Sequence, residues 1–114
     1  MKELESRMNP KDKFYVTTAI PYVNGKPHLG HAMEYVQTDV IARFRRQLGY
    51  NVFFLTGTDD NSLKNVRAAE TEGIPTEALV ERNTAVFEQL LAALEISNDD
   101  FVRTMLPEHH AGSQ

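Results

Sequence analysis

Residues 14 to 56 place a strand, a Pro/Gly loop, a long helix and a second strand in direct succession, and no other feature constrains the fold as much. Phe14 to Ile20, FYVTTAI, is dense in β-branched and aromatic residues, and Pro21 stops it. Its near-continuous apolar character predicts burial on both faces. Pro21 to Pro27 forms a loop. From His28 the period turns helical: Leu29, Met33, Val36, Val40 and Phe44 recur three or four apart, with Ala32, Ile41 and Leu48 beside them. Gly49 is the C-cap candidate. Asn51 to Thr56, NVFFLT, is the second strand. The unit has the size and order of a βαβ crossover, which requires parallel strands and a right-handed connection.

The rest of the chain extends this pattern. GTDDNS is a turn-rich loop, and Ser62 to Glu72 reads as a helix closed by Gly73. Pro75-Thr76 opens a longer helix to about Leu94, with Leu79, Val86, Leu90 and Leu94 on its apolar face and Val80, Phe87 and Leu91 beside them. No Glu or Gln follows Thr76 at the third position, so a capping box is absent. Ser97 to Asp100 breaks the helix, FVRT at 101–104 is a short strand, and MLPEHHAGSQ has no clear period. Residues 1–12 read as a polar lead-in, and residues 13–114 as one unit. The expectation is an α/β, Rossmann-like nucleotide-binding fold on a parallel sheet.

Composition narrows the chemistry. The 114 residues contain no cysteine, which excludes disulfides, thiolate zinc sites and a thiol nucleophile. The formal charge of −4 argues against a dedicated nucleic-acid-binding domain. Arg43, Arg45 and Arg46 form the densest basic cluster, read as a solvated helix face. The N-terminus has no apolar core of a signal peptide, and no stretch approaches the ~20 apolar residues of a membrane span. These features predict a cytoplasmic protein.

In parallel α/β sheets, ligands bind at the carboxyl ends of strands, near a switch in strand order. Both informative loops, 21–31 and 56–62, lie at such ends. In the first, His28 and His31 bracket a helix start, where unpaired N–H groups and the helix dipole favour anions. The dipole lowers an imidazole's pKa, so these rings suit neutral hydrogen-bond donation better than fixed positive charge. Gly30 leaves room for a flat group to approach the backbone. His28, Gly30 and His31 suit a nucleotide whose phosphates gain charge in a transition state. A zinc site would need a third ligand, and the other histidines, His109 and His110, lie far along the chain. No metal site is expected here. G-x-G-x-x-G and G-x-x-x-x-G-K-[ST] are both absent. In the second loop, either Asp59 or Asp60 would serve as helix N-cap, or face the crevice and bind a cationic group.

The stretch VTTAIPYVNGKPHLGHA, with QTDVIARFRRQLGYNVFFLTGTDD and ISNDDFVRT, resembles the methionyl-tRNA synthetases within the class I aminoacyl-tRNA synthetase family. His28-Leu29-Gly30-His31 matches the H-I-G-H signature with Leu for Ile. The resemblance covers about residues 14–105 and implies methionine–tRNA ligase chemistry. Methionine's carboxylate attacks the α-phosphate of ATP, supplied with Mg2+, and the methionyl group then passes to tRNA. It implies catalytic roles for His28 and His31 at the phosphates. ATP would also meet Asn24 and Gly30, and the amino acid would meet Ile20, Tyr22 and Asp59.

The resemblance also implies what the sequence departs from. The family's G-T-D-E-H-G becomes Gly57-Thr58-Asp59-Asp60-Asn61-Ser62, which bears on amino-acid choice. The K-M-S-K-S loop, the zinc knuckle and the anticodon-binding domain have no counterpart, so the chain reads as the N-terminal half of a catalytic domain, weakly active or inactive alone and suited to a C-terminal half as partner. Alternatives are a class I ligase for another amino acid, or a non-catalytic binding module derived from a synthetase.

Overall fold

A computed structural model describes residues 12–114. Along the chain these form β1 (Lys13–Thr17), α1 (Leu29–Gln47), β2 (Asn51–Thr58), α2 (Leu63–Glu72), α3 (Thr76–Ala93), β3 (Asp100–Arg103) and α4 (Pro107–Ser113). The expected lead-in lies outside the described residues except for Asp12, whose carbonyl accepts the Asn51 N–H at 2.8 Å.

The three strands form one parallel sheet in the order β1-β2-β3. Tyr15 lies opposite Phe53, and Gly57 opposite Val102. The βαβ expectation therefore holds. The order runs without reversal among the described residues, so no switch point forms between these strands.

Expected burial on both faces of β1 is not what the structure shows. β1 is an edge strand, and its burial alternates: Phe14 and Val16 are half-buried while Tyr15 is 62% exposed. Tyr15 stacks on Phe53 across the strands at 5.9 Å, on a sheet face that α1 does not cover. Apolar density marks a strand as able to be covered on both sides, and only one covering layer is present in these residues.

The same separation appears on α1. The stripe Leu29, Met33, Val36, Val40 and Phe44 is exposed. The residues α1 buries are Tyr35, Thr38, Asp39 and Ala42. A polar inner face needs partners, and Thr38 and Asp39 have them while the Tyr35 hydroxyl has none. The Asp39 carboxylate accepts from Ser97 N–H at 2.8 Å and from Arg43 Nε at 2.8 Å. Burial pushes the Asp39 carboxyl up, but the Ser97 and Arg43 bonds outweigh it and hold it below its ordinary range.

Arg43, Arg45 and Arg46 form a clasp rather than a free solvated face. Arg43 donates to the Glu95 carbonyl at 2.6 Å, and Arg46 to the Ser97 carbonyl at 2.9 Å. Arg45 lies over the Phe14 and Tyr50 rings at 4.8 and 5.1 Å. Gly49, at φ 88°, follows the C-cap Leu48. Its N–H bonds Arg46 O and the Tyr50 N–H bonds Arg45 O, which is a Schellman ending.

β2 runs two residues past the expected Thr56, through Gly57 and Thr58. Gly57 is required there: a Cβ would collide with the Val102 carbonyl of β3. α3 has no capping box, as expected, and no side-chain cap at all, because Pro75 and not Thr76 is its N-cap. Its buried face is Leu79, Val80, Asn83, Thr84, Phe87 and Leu91, rotated from the Leu79–Val86–Leu90–Leu94 row. Val23, Tyr35, Val80, Phe87 and Leu91 form the core cluster, so a loop residue, Val23, is fully buried between α1 and α3. α4 was not visible as a period; Pro107 at its first turn is the signal.

Candidate active site

β1 and β2 are neighbours, so the loops that leave them meet. Tyr22 and Asp59 form a parallel bridge, and the Asp59 N–H donates to the Pro21 carbonyl at 2.8 Å. The first loop is fixed from two other sides as well. Glu34 of α1 accepts the Ala19 N–H at 2.7 Å, and Asn83 of α3 donates to the Val23 carbonyl at 2.6 Å.

His28 is the N-cap of α1. Its Nδ1 accepts the Gly30 N–H at 3.0 Å, and the His31 Nδ1 accepts the His28 N–H at 3.1 Å. The two imidazoles thus perform the exchange that Ser and Glu perform in a capping box. Because each Nδ1 accepts, each ring carries its proton on Nε2. Both side chains are neutral and each keeps one Nε2–H donor that the helix does not use. The rings lie 3.9 Å apart. Burial lowers the His31 pKa, His28 lowers it further, and Glu34 partly opposes them. At His31 the causes are burial and the neighbouring ring rather than the helix dipole, and the geometry adds a capping role for the pair that the spacing alone did not disclose.

Gly30 has a closer reason than ligand access. A Cβ there would lie 2.8 Å from His28 Cε1 and 3.0 Å from His28 Nδ1. The bare glycine lets the His28 ring fold over the helix start and take its N–H.

An open cleft of about 440 Å3 is lined by Pro21, Tyr22, Asn24, Gly25, Lys26, His28, His31 and Phe87. It brings together Tyr22, Asn24, His28 and His31 from the sequence reading. Ile20, Gly30 and Asp59 are not in its lining; Asp59 joins through its bridge to Tyr22, and Ile20 is partly exposed beside it. Lys26 and Phe87 were not singled out from sequence. Phe87 meets the His31 ring edge-on at 5.1 Å. Lys64, another residue without an assigned role, holds its ammonium 5.4 Å from the Tyr22 ring.

The second loop corrects an expectation. Neither Asp59 nor Asp60 caps α2; Ser62 does, accepting the Lys64 N–H at 3.1 Å. Asp60 is buried and structural. It accepts from the Thr58 hydroxyl at 2.9 Å and lies 3.4 Å from Arg103 Nε, while Arg103 NH2 lies 2.9 Å from Glu81 of α3. The Asp60–Arg103 approach is a charge contact without an aligned hydrogen bond, since Arg103 Nε has no hydrogen-bond acceptor. Asp59 is only half-buried and accepts from Thr104 at a long 3.3 Å, so its carboxylate keeps acceptor capacity. Asn61 donates to the Thr104 carbonyl at 3.3 Å. Of the three residues that depart from G-T-D-E-H-G, Asp60 therefore faces Arg103, Asn61 ties the loop to Thr104 and Ser62 caps the helix. Among the described residues, no three His, Asp or Glu side chains gather as a metal site.

The family model for class I tRNA synthetases of the M type matches residues 14–114. The chain belongs to this family. Curated relatives within it are methionine–tRNA ligases. That of Mycobacterium bovis is 54% identical over 101 residues, covering 89% of this chain and 20% of the relative. That of Brucella suis is 48% identical over 104 residues, covering 91% of this chain and 20% of the relative. The structure is similar to Mycobacterium tuberculosis methionyl-tRNA synthetase in complex with methionyl-adenylate, at TM-score 0.87 and 53% identity over 90% of this chain and 20% of that one. This class I synthetase chain thus spans about a fifth of the length of the relatives it matches, and its parallel α/β sheet is theirs.

Proposed function

We propose that residues 13–114 form the first half of a catalytic domain that activates methionine with ATP and charges tRNA. The observation that carries this is the reciprocal histidine cap, which presents two neutral Nε2–H donors beside an open cleft in a chain that shares about half its residues with methionine–tRNA ligases. In the reaction, a methionine carboxylate oxygen bonds to the α-phosphorus of ATP and the bond to pyrophosphate breaks. Negative charge grows on the phosphate oxygens, and His28 and His31 donate to them. Donors fixed in place before the reaction lower that barrier more than mobile water does.

Asn24 lines the cleft beside the histidines and serves the ATP side, and Gly30 serves it by leaving the helix start free for the His28 ring. Tyr22 and Ile20 lie toward the amino acid. Asp59, bridged to Tyr22, supplies the carboxylate for the substrate ammonium. Mg2+ arrives with the ATP phosphates as part of the substrate. The exposed stripe on α1 and the uncovered face of Tyr15 and Phe53 fit a C-terminal half that completes the site. The setting is cytoplasmic protein synthesis.

Titrating the gene's full product with a non-hydrolysable methionyl-adenylate analogue tests the reading. Binding that weakens about 10-fold or more in His28→Ala is expected, in line with loss of charge-assisted donors. Equal binding by wild type and His28→Ala would overturn it.

A further inference from the structure

The histidine loop has a support that lies outside the signature. α3 meets it at two points one helical turn apart. Asn83, 1% exposed, donates its Nδ2–H to the Val23 carbonyl at 2.6 Å. Phe87, also 1% exposed, places its ring at 81° to the His31 ring with centroids 5.1 Å apart. Between these contacts the fully buried Val23 side chain packs against Val80 and Phe87.

The chemistry of each contact is specific. A loop carbonyl buried with Val23 must be hydrogen-bonded or forfeits a desolvation cost, and the Asn83 amide meets that need. The edge-on ring pair fixes the tilt of an imidazole whose Nδ1 is already committed to the His28 N–H. Two restraints on one ring leave its Nε2–H a single direction. His28 follows, because its own ring stacks on His31 at 3.9 Å.

We propose that Asn83 and Phe87 of α3 are positioning residues that aim the His28–His31 donors into the cleft. The two do so without contact to the reacting atoms. This rests on the reading of the histidines as the groups that face the nucleotide. It explains why α3, which lacks a capped start and carries no signature residue, turns Asn83 inward where an apolar row was available.

Nuclear magnetic resonance of the gene's full product, isotope-labelled at histidine, reads the positioning directly. Expected are an Overhauser contact between the Phe87 and His31 rings and nitrogen shifts of a single Nε2–H tautomer. Phe87→Leu should move the His31 ring signals and mix the tautomers, and Phe87→Tyr should keep them near wild type. Asn83→Ala should shift the signals of both histidines. In adenylate formation, Phe87→Leu and Asn83→Ala should lower kcat by about 10- to 100-fold with little change in the KM for ATP. Histidine signals unmoved in folded Phe87→Leu and Asn83→Ala would overturn the proposal. If those variants misfold, absence of the ring–ring contact in wild type, or its loss in Phe87→Tyr, would do the same. Signals that move as expected in a protein that forms no adenylate would count against the catalytic reading alone.

Discussion

His31 accepts the backbone N–H of His28 on Nδ1 at 3.1 Å, while the two rings stack at 3.9 Å. One contact caps the helix and the other denies both rings a positive charge at once. The pair is therefore structural and chemical together, and substitutions should separate the two contributions.

His31→Ala removes a cap and a donor. Loss of the cap should cost about 1 kcal/mol of stability, read by denaturant unfolding. Loss of the donor should lower kcat for adenylate formation about 100-fold or more. His31→Gln keeps a cap acceptor and should recover stability without recovering most of the rate.

The His31 pKa also sets a pH dependence. It is lowered in the folded state, by burial first and by His28 second. Above the ordinary value of 6.5 neither state binds the proton, and this contribution to stability is complete. As pH falls through 6.5 the unfolded chain takes up the proton first, so stability declines until pH passes below the lowered folded value. Denaturant midpoints from pH 8 to 5 should fall in wild type with a slope that His31→Ala reduces. An unchanged slope in the variant would remove His31 from the account.

Asp59 and Asp60 are adjacent in sequence and opposite in role. Asp60→Ala takes a fully buried carboxylate from the Thr58 hydroxyl and from the half-buried Arg103, which keeps Glu81, and should cost about 1–3 kcal/mol. Asp59→Ala should leave the melting curve near wild type and raise the KM for methionine. Thermal unfolding and methionine titration of both variants check the assignment.

Glu95 ends α3 at φ 53°, in the left-handed region that favours glycine. Its side chain makes none of the hydrogen bonds at this turn; its carbonyl receives Arg43. Glu95→Gly should stabilise the fold by about 0.5–1 kcal/mol, measured by urea unfolding.

The parts of the fold legible in the sequence were those with a local cause. Gly49, Gly73 and the helical spacing from Leu29 marked element ends correctly because turn and cap chemistry acts between near neighbours, whereas β1 ends at Thr17, short of the expected Ile20 and of Pro21. Which side of an element is covered has no local cause. The Leu29–Phe44 stripe is apolar yet exposed, and Tyr35 and Asp39 are buried because the residues that meet them, Thr56 on β2 and Ser97 before β3, lie far along the chain. Asp60 likewise reads as a cap until β3 brings Arg103 to it. At the site, the two histidines were visible from their spacing, but their tautomer was not, because it depends on which N–H each Nδ1 meets. Phe87 and Asn83 stand some sixty residues from the loop they brace, and no spacing rule links them to it.

Amino-acid-dependent exchange of pyrophosphate into ATP by the gene's full product tests the central claim most directly. Exchange that requires methionine, and that falls about 100-fold in His28→Ala and His31→Ala, is the predicted result. Exchange driven by a different amino acid, or methionine-dependent exchange untouched by both substitutions, would contradict it.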